Sequence, residues 1–244
     1  MSHSDFHFQS PWPARLLAML EVLMISGIVS GSIAMLVFSA KFGRTGINLM
    51  ELSVEFLVTY LMFESVVMVI ILWVLMKTHG ETFAMLGVRK RRWKTCVLLG
   101  ILAAPGLLVI SGIASRTFAF LLPEYVLEKN PLVDMIGSPQ QLTLFIIATI
   151  LAGGVKEELQ RAFILRRFSS HLGGAGVGIV VWSLVFGAGH YTQGVQGMFV
   201  TTILGFIFGV LYIARGNLIL TITAHAAYNT LTLLIYWFAI GMNK

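Results

Sequence analysis

The chain is poor in charge and almost free of cysteine, and each shortage excludes a class of protein. Asp, Glu, Lys and Arg make up 11% of its 244 residues and hydrophobic residues 57%, giving a mean hydropathy of +0.86. An ordinary soluble domain carries about 25% charged residues; this chain has too little polar surface to coat a globule and is expected to be an integral membrane protein. The single cysteine, Cys96, rules out an internal disulfide and a cysteine-based metal site. The opening MSHSDFHFQSPWPARLL lacks a basic stretch leading into a small-residue cleavage site, so the first span is expected to stay as an anchor. A net charge of +6 would suggest nucleic acid in a soluble chain. Here the basic residues cluster between apolar runs, where they act as orientation signals, and nucleic-acid binding is not expected.

What the chain does contain is a succession of apolar runs, near 14–40, 53–76, 96–121, 142–168, 175–191, 195–214 and 218–240. A span needs about 20 residues at about 1.5 Å each. The fifth run is short, and the expected fold is an all-α, polytopic transmembrane helical bundle of about seven to eight spans. With no internal repeat and no long linker, residues 1–244 read as one membrane domain. Arg15, Lys77, the basic run Arg89 to Lys94, Arg166, Arg167 and Arg215 fall on one side of these spans, and Lys41, Arg44, Lys129 and Lys244 on the other. That bias predicts a cytoplasmic amino terminus. The opposite loop, with Glu124, Tyr125, Glu128 and Asp134 among prolines, reads as an irregular connector.

Chemistry concentrates at Val155 to Phe168, VKEELQRAFILRRF, where Lys156, Glu157, Glu158 and Arg161 end the apolar run Leu142 to Ala152. A charge at mid-membrane costs roughly 2.5 to 3.5 kcal/mol on insertion scales, so four on consecutive turns need polar partners. Glu157 and Glu158 precede Arg161 by four and three residues, so either carboxylate is spaced to meet it. Further acids, Glu21, Glu55 and Glu64, lie inside apolar runs, where a hydrogen-bonded carboxyl facing the bundle is the plain expectation; Glu64 is the best candidate for a partner of the site. In WSLVFGAGHY, Phe186 and His190 are one turn apart, and in LTITAHAAYNTLT so are His225 and Asn229. Each pair alone suits helix packing; together the three segments supply a base, a proton shuttle and neutral donors to one bundle.

EELQR, FGAGH and HAAYN follow one another as EExxxR, FxxxH and HxxxN. In this order the motifs, with the segment GFIFGVLYIARGNLILTITAHAAYN, resemble the CAAX protease and bacteriocin-processing (Abi) family of intramembrane proteases over about Leu142 to Leu234. The resemblance implies peptide hydrolysis in the membrane, with Glu157 as general base, His190 holding the water, and His225 and Asn229 stabilising the oxyanion. Glu158, Arg161 and Phe186 would support them, Arg161 pairing mainly with Glu158 so that Glu157 stays basic. Glu157, His190 and His225 are also candidate ligands for a divalent metal such as zinc. There is no HExxH, and a metal-independent glutamate mechanism is favoured. The expected partners are the lipid bilayer and a membrane-anchored or lipidated peptide, in the cell (inner) membrane of a prokaryote. The competing classes are a noncatalytic scaffold or bacteriocin-immunity protein and, behind it, a proton-coupled transporter. Counted in from the span ends, His190 falls deeper than Glu157 and His225, which requires a tilted fifth span or one whose start is displaced around Gly173 to Gly178.

Overall fold

The computed structural model describes residues 10–42, 53–88, 92–127 and 130–241. Expectations that rest on segment 1–9 or on Arg44, Arg89, Lys90, Arg91, Glu128, Lys129 and Lys244 lie outside them. The described chain is helical: α1 (Trp12–Ile25), α2 (Ile28–Phe42), α3 (Val54–Thr78), α4 (Trp93–Leu121), a single turn α5 (Pro131–Asp134), α6 (Pro139–Thr149), α7 (Glu157–His171), α8 (Ala175–Ala188), α9 (Gly194–Arg215) and α10 (Leu218–Gly241). Local chemistry starts several of them. Ser53 accepts from Phe56 N–H at 3.2 Å and caps α3, and Ser138 accepts from Gln141 N–H at 3.2 Å ahead of Pro139, which presets the first turn of α6.

Five helical stretches are long and apolar enough to cross a membrane, namely Trp12–Lys41, Val54–Thr78, Trp93–Leu121, Tyr191–Arg215 and Leu218–Ala239. The protein is therefore an all-α, polytopic membrane protein. The expectation of seven to eight spans counted two further rods that differ in kind. Residues 139–171 run through α6, a wide π-helical turn at Ile150–Lys156 and α7, but carry the charged cluster. Helix α8 has 14 residues, about 21 Å at helical rise. It ends at Ala188, not at 191 as its apolar run suggested, and His190 sits in the turn beyond it.

The first span is also not one rod. It breaks at Ser26–Gly27, where Gly27 takes φ of +98°, a conformation open to glycine. The break is stabilised from across the bundle: the Gln160 side-chain amide donates to the Ile25 carbonyl.

Helix α7 lies at the centre. Every residue from Glu158 to Leu165 is buried, and Ala162, Phe163 and Ile164 pack in a core with Met68, Leu72, Trp182 and Phe186. Large apolar side chains face outward instead on the peripheral helices, as Leu102, Val109, Ile113 and Phe120 do on α4. Protein, not lipid, thus surrounds the charges. At one end of α7, Arg167 donates to Glu81 at 2.8 and 2.9 Å and to Glu21, Glu21 also contacts His79, and Arg166 donates to Glu81 at 2.8 Å. This cluster ties α1, the end of α3 and the following loop to α7. Glu21 and Glu64 accordingly have polar partners inside the bundle, and Glu55 accepts from Gln141 at 3.0 Å near the surface.

Helices in lipid associate by close packing, so small residues at the seams matter. A methyl group at Gly100 on α4 would lie 2.7 Å from Thr223 Cβ and 2.8 Å from the Leu220 carbonyl on α10, whereas one at Gly106 would meet nothing within 4 Å. Gly100→Ala should lower stability by about 1–3 kcal/mol through overpacking, while Gly106→Ala should gain up to about 1 kcal/mol of helix propensity; thermal unfolding in detergent compares them. A second prediction concerns Glu81. Burial raises its proton affinity, but hydrogen bonds from Arg167 and Arg166 outweigh this and hold the carboxyl below its usual value of 4.5. A carboxyl whose folded value is depressed contributes stability above the unfolded value and loses it as pH falls through the folded one. The gap in Tm between the wild type and Glu81→Gln should therefore be full at neutral pH and close progressively below about pH 4.5.

Candidate active site

The site begins with the wide turn that joins α6 to α7. Across Ile150–Lys156 the backbone is π-helical, and the Glu157 N–H bonds to the Ala152 carbonyl five residues back. Such turns displace the side chains that follow and are common at functional sites. The turn carries Gly153, where a Cβ would lie 2.5 Å from Asn229 Nδ2 and 3.7 Å from His225 Nε2. The missing side chain is thus what lets the two polar residues of α10 reach the start of α7.

Beyond the turn, successive residues face different ways because an α-helix rotates by about 100° per residue. Glu158 faces inward, fully buried, and its Oε1 accepts from Arg161 and, at 2.8 Å, from His225 Nδ1. Arg161 pairs with Glu158, as expected. Among the described residues its Nε and Nη2 find no hydrogen-bond acceptor; they lie instead against aromatic faces, with the guanidinium 4.9 Å from the Phe186 ring and 5.3 Å from that of Phe208. Phe208 also stacks on His225, with centroids 4.6 Å apart, and Phe186 meets His225 edge-on at 6.3 Å. Helices α8 and α9 each contribute one ring to this wall.

Glu157 faces the other way, onto a cavity of about 660 Å³. Lys156, Gln160, Glu64, Tyr60, Phe186 and His190 also line it. The nearest basic nitrogen to the Glu157 carboxylate among the described residues is His225 Nε2, at 3.8 Å from Oε2. Lys156 is engaged elsewhere, 3.0 Å from Glu64 Oε2, whose other oxygen accepts from Ser30 at 2.5 Å. Both histidines have their tautomers set by neighbours. His190 Nδ1 donates to the Phe186 carbonyl at 2.7 Å, and His225 Nδ1 donates to a carboxylate, so each ring keeps its Nε2 lone pair for the site.

All seven residues singled out from the motifs therefore fall in one neighbourhood. Glu157 and His190 share the cavity; Glu158, Arg161, Phe186 and His225 form a contiguous buried group behind it; Asn229 is next to His225 at Gly153. Phe208 and the pair Lys156–Glu64 were not assigned to the site by spacing. Two buried charges of opposite sign on separate spans are the signal for the pair, whereas an aromatic in an apolar helix carries none. Free Nε2 atoms next to a carboxylate are donors suited to a divalent metal. Among the described residues, however, no three His, Cys, Asp or Glu side chains stand close enough together to share an ion.

Residues 139–231 match the family model described as type II CAAX prenyl endopeptidase, Rce1-like. The match takes in the wide turn and all seven motif residues, and leaves residues 1–138 outside. No curated protein and no solved structure matches the chain.

The geometry separates the two adjacent glutamates. Glu158→Gln leaves Arg161 charged and buried without its partner and should cost about 3–5 kcal/mol. Glu157→Gln strands no lysine or arginine and should stay within about 1 kcal/mol of the wild type. Thermal unfolding of the two purified variants in one detergent measures the difference.

Proposed function

We propose that this chain is an intramembrane endopeptidase that hydrolyses a peptide bond in a membrane-anchored or lipidated peptide, with Glu157 activating the water. The observation that carries the reading is that Glu157, alone among the charged residues opening α7, faces the cavity without a lysine or arginine partner among the described residues. The family match over residues 139–231 supports the reaction class. In the proposed reaction, water sits between the Glu157 carboxylate and the lone pair of His190 Nε2. Glu157 takes its proton as the oxygen attacks the carbonyl carbon, then returns that proton to the nitrogen that departs. The Asn229 amide, a neutral donor, serves the oxyanion. His225 was expected to act as a second neutral donor, but its Nδ1–H goes to Glu158. On this tautomer its Nε2 faces Glu157 as a lone pair.

The reaction so written needs no metal. Zinc held by Glu157, His190 and His225, which would have to draw closer together to share it, is the alternative, and cleavage lost with a chelator and restored by zinc alone would select it. The cavity is apolar over much of its wall, through Met35, Phe56, Leu57, Leu132 and Phe145, which suits a lipid-bearing or hydrophobic peptide. The basic residues between spans favour a cytoplasmic amino terminus, and the proposed location is a prokaryotic cell membrane.

The deciding experiment is comparative mass spectrometry of membrane peptides from cells carrying the wild type and Glu157→Gln. Loss of the base should reduce specific cleavage by at least about 100-fold, and Asn229→Ala by about 100-fold or more, with both variants folded. Identical peptide profiles in wild-type and Glu157→Gln cells would refute the proposal and leave a scaffold or immunity role.

A further inference from the structure

The ion pair Lys156–Glu64 has no part in the reaction above, yet it stands on the wall of the same cavity as Glu157. Its side chains are 12% and 8% exposed. A buried pair of this kind is a poor stabiliser, because an apolar pair of similar volume commonly does as well. Glu64 is fully engaged: one oxygen faces Lys156 and the other accepts from Ser30. Lys156 is not. Its ammonium carries three N–H groups, and Glu64 is its one partner among the described residues.

An extended peptide that enters a cavity inside a membrane protein brings backbone carbonyls that water no longer solvates, and each needs a donor. Few are at hand. The Gln160 amide on the same face donates to the Ile25 carbonyl, the free nitrogens of the histidines are acceptors, and the Trp182 indole, without an acceptor among the described residues, offers a single neutral N–H. We infer that Lys156, tethered by Glu64, is a substrate-binding residue that holds a backbone carbonyl of the peptide beside Glu157. The inference rests on the endopeptidase reading and names a contact within it. A carbonyl fits better than a carboxylate. With Lys156 already neutralised by Glu64, an incoming anion would meet the negative charge of Glu157, whereas a neutral carbonyl gains a charge-assisted hydrogen bond without that repulsion.

Binding tests this without turnover. The full chain carrying Glu157→Gln, in lipid nanodiscs, is titrated with a fluorescent peptide ending in a prenylated cysteine, two aliphatic residues and a terminal residue, made both as the free acid and as the amide. Adding Lys156→Met should weaken binding of both peptides by about 10- to 100-fold, and Lys156→Arg should keep it within about threefold. Glu64→Gln combined with Lys156→Met removes both charges, retains packing, and should bind as weakly as Lys156→Met; it also answers for any misfolding of the single variant. Unchanged affinity in the double variant overturns the inference while sparing the protease reading. A loss confined to the free acid also overturns it, assigning Lys156 to a terminal carboxylate. Failure of the Glu157→Gln parent to bind either peptide counts against the substrate reading itself, and the inference falls with it.

Discussion

One carboxylate oxygen, Oε1 of Glu158, holds the centre of the molecule together. It accepts from Arg161 on its own helix and from His225 on α10, with both side chains buried. An arginine placed this far inside an apolar bundle persists only where something compensates its charge. Here the compensation is divided between that oxygen and two aromatic faces, Phe186 from α8 and Phe208 from α9. Four helices are thereby fixed around one ion pair. The orientation of His225 follows, since a ring that donates from Nδ1 to a carboxylate and stacks on Phe208 has little freedom to turn.

The cavity exists because the backbone is irregular in two places. Gly27 interrupts the first span, and the π-helical turn before Glu157 interrupts the run from 139 to 171. Non-helical backbone at membrane depth is tolerated where protein buries it or where it borders a polar space. Both conditions apply. Ser26 and Gly27 border the cavity, and the exposed carbonyl of Ile25 is satisfied by Gln160 from the helix that carries the glutamates. The same helix therefore presents the Glu157 carboxylate and props open the wall facing it.

How much of this is legible in the sequence depends on the range of each interaction. Pairs one turn apart are read directly: spacing allowed Arg161 to meet either glutamate, and the need to leave one carboxylate basic favoured Glu158, its partner in the structure. The all-α membrane class is equally plain, because it is a property of composition. Contacts between distant segments are not. Glu64 was marked as a partner for the site, but nothing local says that its counterion is Lys156, 92 residues away, or that Phe208 shields Arg161. Helix ends were misjudged where hydropathy and geometry diverge. The apolar run through Tyr191 hides the end of α8 at Ala188, which takes His190 out of the helix and into a turn, and a glycine within a hydrophobic span gives no sign that the rod will break there.

The pairing pattern also weighs against a purely structural role for the motif. Lys156, Glu157, Glu158 and Arg161 fall within six consecutive positions, enough for two complementary pairs within the helix. Only one forms there, Glu158 with Arg161, while Lys156 is drawn away by Glu64. Glu157 is left 3.8 Å from a histidine nitrogen and open to the cavity. Were the cluster a strut, glutamine or leucine at this position would serve as well, and a carboxylate with no compensating cation would be a liability. Because Glu64 draws the neighbouring lysine away, Glu157 is left facing the cavity, and this placement joins the ion pairs to the proposed reaction.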